Sequence, residues 1–209
     1  MHKVKLALGT VQFGLSYGVA NQRGQVPKSE IGPILALARE HGIDLLDTAI
    51  AYGTSEQVLG EIGVADWRII TKLPAVPTNI ASSVNVITQW VRGQIDGSRQ
   101  RLKIDHINAV LLHRPVDFLT GFGPVVFDVL NYLKSEGIIG QLGVSIYGPE
   151  DLEMLIPFEF DLIQAPFNVL DRRVHQTGWV QHLHCRSVEF HARSVFLQGL
   201  LLLAKDLRP

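Results

Sequence analysis

The chain has 209 residues, 46% hydrophobic and 19% charged, a globular composition with too much apolar content for a disordered chain and enough length for one domain with a substantial core. Its 19 basic and 20 acidic residues leave a formal charge of -1, without the basic excess that nucleic-acid binding needs. One cysteine, Cys185, excludes an internal disulfide and fits a reducing cytoplasm.

The N-terminus, Met1-His2-Lys3-Val4-Lys5-Leu6, reads straight into a strand and has no signal-peptide pattern. Short apolar runs predict strands over residues 6–9, 43–47, 68–73, 107–113, 140–145, 162–165 and 188–192. Helix-period segments fall between them, over 28–41, 55–62, 81–102, 124–136, 149–156 and 178–185. His41-Gly42 and Glu136-Gly137 are stop signals, and Gly148-Pro149-Glu150-Asp151 suits a helix start. The late apolar run 200–204 is far too short to cross a bilayer, so no membrane association is expected.

Seven strand–helix steps imply a parallel sheet covered on both faces, with the seventh helix missing or only begun. The first strand leads into Gly9-Thr10-Val11-Gln12-Phe13-Gly14, which is not the glycine-rich phosphate loop of an open dinucleotide-binding sheet. Polar residues close several strands instead: Asp47, Lys72, His113, Ser145 and Gln164. In a barrel such ends converge on one mouth.

Taken singly, each residue has a plain structural reading. Asp47 could cap a helix, Tyr52 could be a half-buried aromatic, Lys72 could be solvated and His113 could be a core histidine. Together they form a chemical set. A lysine ending an apolar strand needs a partner, and Asp47 on the adjacent strand is the natural one. Tyr52, five residues beyond Asp47, can fold back over the strand end. His175, His182, His184, Cys185 and His191 lack metal-ligand spacing, so no metal is expected. Arg172-Arg173 reads either as an anion contact at the mouth or as a surface pair with Asp171.

The segment Gly42-Ile43-Asp44-Leu45-Leu46-Asp47-Thr48-Ala49-Ile50-Ala51-Tyr52-Gly53 resembles the aldo-keto reductase signature. So do Ile70-Thr71-Lys72, Leu111-Leu112-His113-Arg114-Pro115 and Gly140-Gln141-Leu142-Gly143-Val144-Ser145. Leu8-Gly9-Thr10-Val11-Gln12-Phe13-Gly14 is similar to members found in bacterial sugar and surface-polysaccharide pathways. The resemblance implies an α/β fold, a (β/α) barrel of the triosephosphate isomerase type, as a single domain over 1–209. It implies reduction of an aldehyde or ketone, a sugar derivative among the candidates, with Tyr52 as general acid. Lys72 would lower the Tyr52 pKa, Asp47 would orient Lys72, and His113 would bind the carbonyl oxygen. Hydride would come from a nicotinamide dinucleotide, NADP(H) expected over NAD(H). Gly9, Thr10, Asp47, Ser145, Gln164, Arg193, Ser194 and Phe196 would line its site.

Three features depart from the family's pattern. Ile146 follows Ser145 where Asn or Asp is usual, and Arg193-Ser194-Val195-Phe196 stands where Tyr-Ser-Pro-Leu is common. An arginine plane can also stack on an aromatic ring. The sequence ends at Asp206-Leu207-Arg208-Pro209, before the eighth strand and the residues that choose between NADP and NAD. The expectation is an incomplete barrel of about seven strands with an open edge that invites self-association. A non-catalytic reductase-like remnant serving as a binding or accessory subunit is the rival reading.

Overall fold

A computed structural model describes residues 5–79, 83–119 and 121–207. Seven parallel strands form one sheet in chain order: β1 (Ala7–Gly9), β2 (Leu45–Asp47), β3 (Arg68–Leu73), β4 (Ile107–Leu112), β5 (Ile139–Ser145), β6 (Leu162–Pro166) and β7 (Glu189–Arg193). The main connecting helices are α2 (Lys28–Glu40), α3 (Ser55–Ile62), α4 (Val84–Leu102), α6 (Gly123–Ser135), α7 (Pro149–Leu155) and α9 (Trp179–Cys185). Three one-turn helices add to them: α1 (Val11–Gly14), α5 (Pro115–Phe118) and α8 (Arg173–Gln176). The sheet curves as a partial barrel, and among the described residues no ladder joins β1 to β7.

Most predicted elements match to within one or two residues. β3 and α3 agree at both ends. The predicted start of the fourth long helix at Ala81 and the N-terminal residues 1–4 lie outside the described residues. The first described part of that helix is capped by the Ser83 hydroxyl, which accepts from the Val86 amide. Gly42 and Gly137 follow α2 and α6 at φ 74° and 73°, the left-handed geometry their stop signals implied. The Asp151 carboxylate accepts from the amides of Tyr147 and Gly148 and so caps α7. The segment after β7 holds two short 3-10 turns, Leu200–Leu202 and Lys205–Leu207.

The register decides which residues face the barrel interior. Side chains alternate along a strand, and the ladders pair Asp47 with Ile70, Lys72 with Leu111, Leu111 with Gly143, Gly143 with Leu162, and Gln164 with His191. The inner floor is therefore Leu45, Ile70, Ala109, Leu111 and Leu162, all buried together. Their alternates, such as Leu46, Ile69, Val110, Leu142 and Ile163, pack outward against the helices. Two residues above the floor, the same inner faces end in Asp47, Lys72, Ser145 and Gln164.

Helix α3 meets α4 at very short range. A methyl on Gly60 would lie 2.0 Å from the Arg101 carbonyl oxygen. A backbone atom cannot yield as a side chain tip would, so Gly60→Ala must force the helices apart. The expected cost is about 2 kcal/mol, typical of overpacking, read as a lower denaturation midpoint. An unchanged midpoint would show that the contact is looser than described.

Candidate active site

The β2–α3 connection carries Tyr52 and is held down by buried polar groups. The Thr10 hydroxyl donates to the Asp47 carbonyl at 3.0 Å, and the Ser55 hydroxyl contacts both the Thr10 hydroxyl and the Thr10 carbonyl at 3.0 Å. Thr48 and Ser55 pair through their hydroxyls at 3.2 Å. Gly14 presses so tightly on this connection that a methyl there would sit 1.8 Å from the Tyr52 carbonyl oxygen. At the next layer, the buried Glu56 carboxylate accepts from Thr71 at 2.6 Å, from Ser98, and from the Arg101 Nε at 2.8 Å. Thr71 lies between Ile70 and Lys72 on β3, so this network also fixes the strand that presents Lys72.

Lys72 is only 1% exposed. Its Nζ lies 2.5 Å from Asp47 Oδ1, 2.9 Å from the Thr48 carbonyl and 3.4 Å from the Tyr52 hydroxyl. The ammonium thus spends its three donors on a carboxylate, a carbonyl and a phenol. The Tyr52 ring meets the His113 ring edge to face, with centroids 5.8 Å apart. All four residues singled out in the sequence converge on one spot at the C-terminal ends of β2, β3 and β4.

Lys72 lowers the Tyr52 pKa as expected, but it does not set the net shift. The Tyr52 pKa lies above the ordinary phenol value, because burial outweighs the lowering by Lys72, and Asp47 raises it further. Around neutral pH the phenol is a proton reservoir. The His113 pKa is pushed down to about 4, first by burial and then by the positive charge of Lys72, with Arg193 and Arg114 adding to it and Asp47 opposing. Near neutral pH the imidazole is uncharged and offers one N–H donor.

On the opposite side of the mouth, Ser145 pairs in register with Gln164, and both are buried. The Gln164 Oε1 is buried without a donor. The Ile146 amide donates to the Gln164 carbonyl at 2.8 Å, while the Ile146 side chain is buried in the outer core. Arg193 ends β7; its Nη2 donates to the Ile146 carbonyl at 3.0 Å, and its guanidinium lies 4.9 Å from the centre of the Tyr147 ring.

The other expected site residues are placed less directly. Gly9 ends β1 opposite Asp47, with open space where a side chain would stand. Thr10 is fully buried and its hydroxyl is engaged by Asp47 and Ser55, so it serves the framework of the site. Ser194 has a left-handed backbone, φ 57°, and its carbonyl accepts from Asn168. Phe196 is half exposed in the following turn. Arg173 grips Asp171 through two nitrogens, so that pair is a surface ion pair. His182 packs edge-on against Trp179 and His191 bonds Glu189; among the described residues no three metal-capable side chains cluster. Ser55, Glu56 and Tyr147 were not anticipated. The run Ser55-Glu56 at a helix start was the available signal, and it reads equally well as an exposed polar turn.

A dinucleotide carrying a carboxamide fits these residues. Its amide N–H would satisfy the orphaned Gln164 acceptor beside Ser145.

The chain belongs to the aldo/keto reductase family, whose sequence profile matches residues 5–208. The NADH-specific methylglyoxal reductase of Escherichia coli is 26% identical over 194 residues, 80% of this chain and 56% of that protein. A Pseudomonas aeruginosa crystal structure assigned to the aldo-keto reductases is 30% identical, with a TM-score of 0.71 over 88% of this chain and 70% of that one. The holo form of an aldo-keto reductase from Bacillus halodurans, 23% identical with a TM-score of 0.73, shares the fold over 96% of this chain and 65% of that one. The chain spans about half the length of the curated relatives it matches. No helix among the described residues is long and apolar enough to cross a membrane.

Two measurements test the site's electrostatics. Lys72→Met leaves the Asp47 carboxylate without its cation in a largely buried site. The expected loss is about 3 kcal/mol, the scale for breaking a buried pair, and an unchanged melting temperature would show that the pair contributes nothing. For His113 the folded pKa of about 4 lies below the ordinary value near 6.5. Between those values the unfolded chain binds a proton that the folded chain refuses, so stability falls as pH drops from 6.5 towards 4. His113→Gln should flatten that part of the stability–pH curve; parallel curves for the two proteins would contradict the buried neutral imidazole.

Proposed function

We propose that this chain reduces an aldehyde or ketone to an alcohol, with a sugar derivative as one expected substrate. The observation that carries the reading is the convergence of Asp47, Tyr52, Lys72 and His113 across the mouth from the orphaned Gln164 acceptor. A reduced nicotinamide supplies hydride to the carbonyl carbon when bound. Ser145 and Gln164 would hold its carboxamide.

The chain's own part is proton delivery and charge stabilisation. His113, neutral at working pH, donates an N–H to the carbonyl oxygen and stabilises the charge that develops there. Tyr52 passes its phenolic proton to the same oxygen as hydride reaches carbon, so the product is a neutral alcohol and the phenol becomes a phenolate. Lys72 sits 3.4 Å from that hydroxyl and stabilises the phenolate as it forms. Burial keeps the proton in place beforehand, and the cation assists its departure. Asp47 holds Lys72 charged and aimed.

The expectation of NADP(H) over NAD(H) stands against an NADH-specific relative, and titrations with both dinucleotides decide it. The central test is Tyr52→Phe. Removing the proton donor should lower turnover by about a hundredfold to ten-thousandfold, the usual worth of a positioned acid, while dinucleotide affinity stays nearly constant. Retained turnover would remove Tyr52 from its role. Wild-type protein that binds neither dinucleotide at millimolar concentration would favour the non-catalytic remnant.

A further inference from the structure

The inference concerns Arg193 and rests on the dinucleotide-dependent reading above. Arg193 carries a positive charge that no ion pair among the described residues neutralises; the Tyr147 ring faces it, and Asp171 feels it only beyond ion-pair distance. Its Nη2 donates to the Ile146 carbonyl, its Nη1 reaches only the Ser194 hydroxyl at 3.5 Å, and its Nε is buried without a partner. No carboxylate among the described residues lies within ion-pair distance of it. Asp47 is paired with Lys72, and Asp171, which feels Arg193 at longer range, is paired with Arg173. A part-buried guanidinium without a counter-charge is costly, and its field reaches into the site rather than being cancelled at source.

Its position relative to Gln164 matters next. Both are tied to the peptide groups of Ile146, which donates from its amide to the Gln164 carbonyl at 2.8 Å and accepts at its carbonyl from Arg193 at 3.0 Å. The ladder pairs Gln164 with His191 and Pro166 with Arg193, which puts Arg193 on the same inner face one step above Gln164. Its charge is felt across the mouth at His113, so a group bonded to the Gln164 Oε1 would lie in the field of Arg193. A nicotinamide carboxamide is bonded directly to the ring that changes charge during reduction. The oxidised ring is a cation and the reduced ring is neutral. The phosphates, riboses and adenine are common to both forms, so their contributions cancel in the ratio of the two affinities.

We propose that Arg193 makes the site discriminate between the redox forms of its dinucleotide, binding the reduced form tightly and the oxidised form weakly. The charge repels the pyridinium and leaves the dihydronicotinamide untouched. At short range in a partly desolvated site, such a repulsion is worth about tenfold or more in affinity. The site therefore collects reduced dinucleotide and lets the oxidised form go, which suits a chain that works in the reducing direction.

The test is calorimetric titration of the purified protein with NADH, NAD+, NADPH and NADP+, which needs no carbonyl substrate. For the pair that binds, the reduced form should bind about tenfold or more tightly. Arg193→Met and Arg193→Gln should bring that ratio close to one, chiefly by strengthening the oxidised form. Arg193→Lys keeps the charge and should keep most of the ratio. A wild-type ratio near one overturns the proposal whether or not any variant folds. A large ratio that the two neutral variants leave unchanged overturns it equally, since the preference would then come from elsewhere. Should none of the four dinucleotides bind at millimolar concentration, the reductase reading falls and this proposal falls with it; binding with the wrong ratio removes the proposal alone.

Discussion

The contact between Lys72 and Asp47 is the constraint on which the mouth of this barrel is organised. An ammonium that is 1% exposed is tolerable only if its donors are satisfied and its charge is met. Asp47 meets the charge, the Thr48 carbonyl takes a second donor, and the Tyr52 hydroxyl stands at the third. Each partner comes from the end of β2 or from the β2–α3 connection that follows it. The lysine therefore fixes the path of that connection, and with it the place of the phenol. The geometry that satisfies a buried cation is the same geometry that aims a proton donor.

That arrangement needs a rigid surround, and the surround is unusually polar for a core. The hydroxyls of Thr10, Thr48 and Ser55 bond one another beneath the connection, and the Glu56 carboxylate collects Thr71, Ser98 and Arg101. Isolated, each of these groups would be a burden in a dry interior. Fully paired, they specify one arrangement, because a shift of either β3 or α3 would orphan several at once. Gly14 and Gly60 complete the clamp by letting backbone approach backbone where any side chain would collide.

Charge is distributed unevenly around the mouth. On the β2–β4 side it is compensated, Lys72 against Asp47, and His113 is kept neutral by burial and neighbouring cations. On the β5–β7 side Arg193 forms no ion pair among the described residues, and Gln164 keeps an unused acceptor. The first half is built to move a proton, the second to meet a polar group of defined charge.

Much of this was legible in the sequence because the signals are local. Apolar runs at strand length, helix-period segments between them and glycine stops are properties of short windows, and they located β3 and α3 to the residue. The ends of those runs named Asp47, Lys72 and His113, since a charged or polar residue closing an apolar strand is visible without any fold. The helices α1, α5 and α8 escaped because a single turn has too few residues for periodicity to register. Pair register, burial and charge balance belong to the assembled fold alone. Thr10 resembles a mouth residue in sequence, yet neighbours 37 and 45 positions away consume its hydroxyl. The direction of the Tyr52 shift is likewise a tertiary matter: sequence supplies the nearby cation, but only folding decides how much water is removed around the phenol, and removal of water prevails. Arg193 lacks an ion pair among the described residues for the same kind of reason, because its charge is written in the chain while the place of each carboxylate is settled only by packing.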